Sequence, residues 1–249
     1  MQKIRSGTLA ALLLGSLFTP VLAHAAPADS AAIRDAALKD DVAWDFTEGL
    51  TTEVGPRPAG TPQEARAREW AVAKLKALGF SNVRAEPYTM PVWLRGRDEA
   101  KILSPFPQNL VLSALGNSGS TPDKGIEGEV VYFPTLADLE AAPAASVKGK
   151  IAFVSHDMTA TQDGSSYGYF GAARRQGPSI ASSKGAIAIL IRSIGTDHHR
   201  LPHTGVQMWA DGVTPIPAAA LSVPDAEQLA RVIGRGQPVR LHLTLTSKM

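Results

Sequence analysis

Three stretches carry side chains that can do chemistry. The first is Asp197-His198-His199-Arg200-Leu201-Pro202-His203, which holds three of the chain's six histidines. His199 and His203 are four apart, the spacing that sets two zinc ligands on one helical face. Pro202 lies between them and no Glu follows His199, so the zinc-protease helix motif is absent. Solvated loop histidines are the commoner case. The second stretch, Gly164-Ser165-Ser166-Tyr167-Gly168, is a formal G-x-S-x-G and would make Ser166 an esterase nucleophile. A nucleophile elbow needs a strand running straight into the turn and a helix straight out of it. Here the strand expected at residues 151–155 ends well before the motif, and Thr159 to Asp163 reads as loop. The third is Ser155-His156-Asp157 at the carboxyl end of that strand, where ligands often sit in open sheets. A two-metal hydrolase needs further carboxylates and another His nearby, and none is supplied. Asp157 reads as a turn cap. The residues by themselves therefore assign no catalytic residue and no metal ligand.

The whole chain narrows the choice further. It has 249 residues, 25 Lys+Arg against 23 Asp+Glu, 44% hydrophobic residues and no cysteine. This is the composition of a globular protein of one or two domains. Without cysteine there is no disulfide scaffold, Cys-ligated zinc finger or cysteine nucleophile. Neither a net charge of +2 nor any aromatic–basic interleaving argues for nucleic acid or an anionic membrane. Phosphate-binding G-x-x-x-x-G-K-[ST] and dinucleotide-binding G-x-G-x-x-G fingerprints are also missing.

The first residues read as an address. Lys3 and Arg5 open a basic region, residues 9–21 are an apolar run broken by Gly15 and Pro20, and Ala23-His24-Ala25 fits an A-x-A cleavage site. The run is too short for a membrane span of about 20 residues. Residues 1–25 are therefore expected to be a signal peptide cut after Ala25, with the mature protein secreted or periplasmic. Cleavage removes two basic residues and no acid, which leaves 23 charges of each sign and a formal net of zero.

These candidate residues need elements to position them. Residues 30–50 recur at helical spacing. The Gly55-Pro56-Arg57-Pro58-Ala59-Gly60 turn ends that helix. Thr61 and Glu64 form a capping box, Pro62 takes the first helical position and Gly79 stops the next helix, whose apolar face holds Trp70, Leu75 and Leu78. Residues 83–93 and 101–114 read as strands. Residues 116–125 are rich in Gly, Ser, Pro and Asp and read as an inter-domain linker. Beyond it, strands are expected at 129–133, 151–155, 186–192, 216–223 and 239–246, the last edge-like. Helices are expected at 136–141, 172–183 (interrupted at Gly177-Pro178) and 225–234. The fold class is thus α/β, with mixed α+β character.

Several motifs carry a resemblance. They are Thr-Thr-Glu-Val-Gly-Pro-Arg-Pro-Ala-Gly at 51–60, Glu-Pro-Tyr-Thr-Met-Pro-Val-Trp-Leu-Arg-Gly at 86–96, and Gly-Ile-Glu-Gly-Glu-Val-Val at 125–131. More specific are Gly-Ala-Ile-Ala-Ile-Leu-Ile-Arg-Ser at 185–193, Pro-His-Thr-Gly-Val-Gln at 202–207, and Asp-Gly-Val at 211–213 with Ile-Pro-Ala at 216–218. Together they resemble the secreted di-zinc exopeptidases of the plasma glutamate carboxypeptidase (carboxypeptidase Q) type. In that family a protease-associated (PA) domain is inserted near the start of the peptidase domain. The resemblance implies that residues 26–122 are an incomplete N-terminal part of the peptidase domain. Residues 123–249 are then the PA insert, with a β-sandwich-like or barrel core and flanking helices, and the start of the return. The family's zinc ligands, beginning with a Gly-His-x-Asp motif, lie after the insert, and none is present here.

The resemblance therefore implies an N-terminal fragment of a metallopeptidase that is inactive alone. The full-length enzyme would hydrolyse peptides or dipeptides with two zinc ions. It suggests a homodimer, and it makes Arg57 and His203 candidates for a substrate pocket or a domain interface. Two other readings stand beside it: a non-catalytic secreted PA module that binds peptide or protein, and, more weakly, a serine esterase through Ser166.

Overall fold

The computed structural model describes residues 29–249. The expected signal peptide lies outside the described residues. The described chain divides into two compact units: residues 29–57 with 65–83, and residues 58–64 with 84–249.

The first unit is helical. Helix α1 (Ser30–Ala37) is capped by the Asp29 carboxylate, which accepts from the Ala31 amide. Helix α2 (Val42–Gly49) runs into a π-helical turn, Leu50–Val54. The single helix expected over 30–50 is therefore two, broken at Lys39-Asp40-Asp41. Helix α3 (Pro62–Ala77) starts at Pro62 as expected, with the Glu64 amide donating to Thr61 Oγ1 at 3.2 Å. Gly79 ends it at φ +88, a left-handed conformation that suits glycine. Trp70 is the hub of this unit. Its ring stands edge-on to Phe46 at 4.9 Å, and its indole N–H donates to Glu53 Oε2 at 2.7 Å. A Cβ on Gly49 would sit 2.6 Å from the Trp70 ring, so α2 needs glycine there. Even so, Val54 is the one buried hydrophobic side chain described in this unit.

The second unit is built on one eight-stranded sheet. Its strands are β1 (Asp98–Ser104), β2 (Gln108–Leu110), β3 (Leu112–Ala114), β4 (Ile126–Phe133), β5 (Ile151–Val154), β6 (Ala188–Arg192), β7 (Ala218–Leu221) and β8 (Arg240–Leu245). The spatial order is β2-β1-β8-β4-β5-β6-β7-β3. Strands β4 to β7 are parallel; the other pairings are antiparallel. The two ends of this order, β2 and β3, are separated in sequence only by Val111, so the sheet curls into a nearly closed barrel.

Helices α4 (Leu136–Ala141), α5 (Ala144–Val147), α6 (Tyr167–Phe170), α7 (Ala172–Arg175), α8 (Gly177–Ser183) and α9 (Val223–Ile233) flank it. The α7–α8 break falls at Gln176, just before Gly177-Pro178, close to the interruption the sequence predicts. Side chains divide by the two-residue period of a strand. Ile151, Phe153, Ala188, Leu190, Ala219 and Leu221 join a core that includes Leu229 of α9. Their neighbours Ala152, Val154, Ile189, Ile191, Ala218 and Ala220 join a second core beneath α4, α7 and α8. Strands buried on both faces explain the unbroken apolar runs in the sequence.

Three expectations are corrected. No strand forms over 83–93, where Pro87 and Pro91 lack the amide donors a ladder needs. Strand β8 is not an edge; it lies between β1 and β4 and pairs with both. The 116–125 stretch is not a linker but part of the sheet unit. Gly116 pairs with Val206 and Gly119 with Pro217, while Ser118 and Thr121 are buried. Strands β1–β3 precede residue 122 yet pair with strands that follow it, so a unit beginning at 123 would lack three of its eight strands.

Candidate functional site

One cluster of polar side chains lies at the carboxyl ends of β5 and β6, where ligands often sit in open sheets. Arg192 ends β6 and is buried, yet it is charged. It is held between two carboxylates, Asp157 after β5 at 3.0 Å and Glu227 on α9 at 3.1 Å. A buried guanidinium requires such partners. Glu227 also accepts from Arg231 at 3.1 Å, one helical turn on. Thus Asp157 makes an ion pair rather than merely capping a turn. His156, beside it, packs edge-on against Tyr169 and Phe170, at 5.5 and 4.6 Å. Burial pushes its pKa down, against the opposing pull of Asp138 and Asp157, and its Nδ1 has no hydrogen-bond partner. It behaves as a neutral aromatic wedge.

The histidine loop is fastened at two points. Arg200 forks onto Asp225 with bonds of 2.9 and 2.7 Å. Asp225 lies in the first turn of α9, where its amide donates to the Ser222 hydroxyl and that hydroxyl donates to its carboxylate, a reciprocal cap. Burial alone would raise the Asp225 pKa, but the bonds from Arg200 and Ser222 outweigh it and hold the carboxyl below its usual range. The Arg200 pKa is raised by the same hydrogen bond and charge.

The second fastening is at His203. Its amide donates to Ser193 Oγ at 2.8 Å, and its Nε2 lies 2.8 Å from the Tyr167 hydroxyl. Arg174 donates to that same hydroxyl at 2.8 Å. The imidazole of His203 is exposed, but its ring position is set by the phenol. The His203 motif gives no sign of Tyr167, 36 residues away, or of Arg174, which bonds the Tyr167 hydroxyl from 29 residues away. Tyr167 was in view only as a residue of the G-x-S-x-G stretch.

The other expected groups separate. His199 approaches Asp197 at 3.5 Å, and His198 approaches Glu227 at 3.8 Å. Pro202 and the Arg200 clamp keep the loop from becoming a helix, so the four-residue spacing does not set two imidazoles on one helical face. Ser166 donates to the Thr159 carbonyl at 2.7 Å and sits before the short helix α6 with no strand leading in, so it is not on a nucleophile elbow. Among the described residues no group of three or more His, Asp or Glu side chains is placed to hold a metal ion. The donor set of the described residues does not fit zinc.

Arg57 belongs to the helical unit. Its guanidinium donates to the carbonyls of Gly55 at 2.7 Å and Leu50 at 3.4 Å, bracing the turn that follows α2. No helix among the described residues is long and apolar enough to cross a membrane.

The chain is similar to several known proteins. Mouse carboxypeptidase Q is 33% identical over 199 residues, which is 80% of this chain and 41% of the mouse protein. Human carboxypeptidase Q matches at 33% over the same shares. The solved peptidase M28 precursor of Shewanella amazonensis is 46% identical with a TM-score of 0.80, covering 88% of this chain and 49% of that one. A zinc aminopeptidase of Bacillus subtilis, 20% identical, shares the fold at a TM-score of 0.55 over 83% of this chain. No protein-family model matches. The chain spans less than half the length of these relatives.

Proposed function

Since the chain belongs to the di-zinc exopeptidase family of carboxypeptidase Q and the M28 peptidases, we propose that it supplies the N-terminal, non-catalytic portion of an exported zinc exopeptidase. The observation that carries this reading is the Shewanella match, which takes in 88% of this chain but only 49% of the peptidase. In the full-length enzyme, peptides or dipeptides would be the substrate, and two zinc ions, held by residues other than those described here, would supply an activated water. Export rests on the basic, apolar and A-x-A pattern of residues 1–25, and dimerisation only on the family resemblance.

The sheet unit is the inserted PA domain in this reading, with its sheet beginning at β1. A local observation supports insertion. The incoming and outgoing segments run side by side, Leu94 and Lys248 exchanging backbone hydrogen bonds of 2.7 and 2.9 Å. Neighbouring ends are what a domain needs to be set into a loop of another. Arg57 and His203 act here as positioning residues for their turns rather than as catalytic groups.

The test is direct. The purified chain, given zinc and dipeptides, is expected to release no amino acids. Hydrolysis together with two tightly bound zinc ions would sink the proposal. One observation favours a second reading, a free-standing PA module that binds peptide: the sheet unit closes its own core. Saturable binding of unstructured peptides by the isolated chain would support it. The esterase reading predicts fluorophosphonate labelling of Ser166, and the geometry predicts none.

A further inference from the structure

An apolar groove of about 570 Å³ runs along one side of the sheet unit. Pro91, Trp93, Met208, Trp209, Pro215 and Met249 form its apolar walls, and Asn117, Ser118, Ser120, Ser247 and Lys248 line most of the rest. Two features restrict what can fill it. Both indole N–H groups are already used: Trp93 donates to the Ser118 carbonyl at 3.1 Å and Trp209 to the Asn117 carbonyl at 2.7 Å. The rings are therefore pinned as flat apolar walls. Two of its large apolar side chains are exposed, Met208 at 71% and Met249 at 82%. Clustered exposure of this kind marks a contact surface.

Position selects the occupant. Pro91 and Trp93 belong to the incoming segment and Met249 to the outgoing one, and the two segments are paired at Leu94 and Lys248. The groove is thus at the base of the unit, where both of its chain connections emerge. A body joined through two adjacent strands holds its host at high effective concentration against that base. The Shewanella peptidase has about as much chain again beyond the matched part. We propose that this groove docks an apolar face of the peptidase half that the match does not reach, so that Met208 and Trp209 anchor the sheet unit to the catalytic half. This rests on the insertion reading above.

The test uses the full 249-residue chain and the unmatched half of the Shewanella peptidase. Mixing them should give a 1:1 complex by light scattering and a change in tryptophan emission. Met208→Asp should weaken it at least about tenfold, as a central apolar contact does. Leu201→Asp, equally exposed but outside the groove, should leave it unchanged. Equal binding by wild type and Met208→Asp overturns the proposal, as does no binding by a half shown to be folded. So does a dimer of the chain alone that Met208→Asp dissociates, because the occupant is then a second copy.

Where the added half does not fold alone, a single-chain fusion of the two takes its place. Peroxide should oxidise Met208 at least about tenfold more slowly in the fusion than in the free chain, because burial shields the thioether. Equal rates in a folded fusion overturn docking. The fusion also separates the two ideas. Zinc-dependent dipeptide hydrolysis with an unshielded Met208 keeps the function and removes the groove; a shielded Met208 without hydrolysis does the reverse.

Discussion

The helical unit and the sheet unit have similar hydrophobic residues but use them differently. In the sheet unit every strand buries side chains in a shared interior, and β5, β6 and β7 bury all of theirs. In the helical unit α1 and α3 bury nothing, and Ile33, Leu38, Trp44, Leu78 and Phe80 are exposed. The sheet unit can satisfy its apolar surface internally because its ends, β2 and β3, meet through one residue. These helices enclose no core of their own, so their large apolar side chains stay exposed. Helical propensity and caps specify α1 to α3 locally, yet most helix stability comes from tertiary contact.

Hydrogen exchange should show the largest contrast. Amides of β5 and β6 should exchange at least about a thousandfold more slowly than those of α1 and α2, reflecting global against local opening. Equal protection would break the comparison. Next, Phe153→Ala should cost the sheet unit about 3–5 kcal/mol in denaturant unfolding, since the ring is fully buried. A loss below about 1 kcal/mol would mean that the core is looser than it looks.

Asp225→Ala removes a cap and an ion-pair partner, and should cost about 1–2 kcal/mol. Its pH dependence has a definite sign. The folded carboxyl has a lowered pKa, so its stabilisation is present above the unfolded value of about 4 and is lost as pH falls through the folded value. Asp225→Asn should flatten that acid limb, and an unchanged limb would show that the Arg200 clamp contributes little.

His156, also lowered, acts in a higher window. Stability is full above about pH 6.5 and declines as pH falls toward its folded pKa. His156→Phe should remove that slope. Smallest of all, Tyr167→Phe should cost about 0.5–1.5 kcal/mol, the net worth of its hydrogen bonds. A stabilising effect would mean that the His203 brace is strained.

Local signals were legible where chemistry is local. Thr61 with Pro62 and the interruption at Gly177-Pro178 could both be read because caps and prolines act within a few residues. The linker misreading has a physical cause. Close approach between distant segments requires small residues, and small residues also look like linkers. A Cβ on Gly119 would lie 2.8 Å from the Ile216 backbone, and one on Gly125 would lie 2.6 Å from Thr244 Oγ1. The 116–125 stretch is glycine-rich because it is tightly enclosed. The alternating pattern of β8 suggested an edge, although His242 and Thr244 sit within a strand paired on both sides. The candidate site was half legible. His203 could be named from a motif, but Tyr167 and Arg192 act through partners that only the fold brings near.

The Leu94–Lys248 pair has a mechanical consequence. From it the ladder continues inward, Arg97 meeting Thr246 and Asp98 meeting Leu245, as β1 runs antiparallel to β8. Tension applied through the two connecting segments therefore loads these bonds one at a time, as in opening a zipper, rather than shearing them together. Stretched by those tethers, the sheet unit should peel from its base at low force, although its interior is the best-packed part of the molecule.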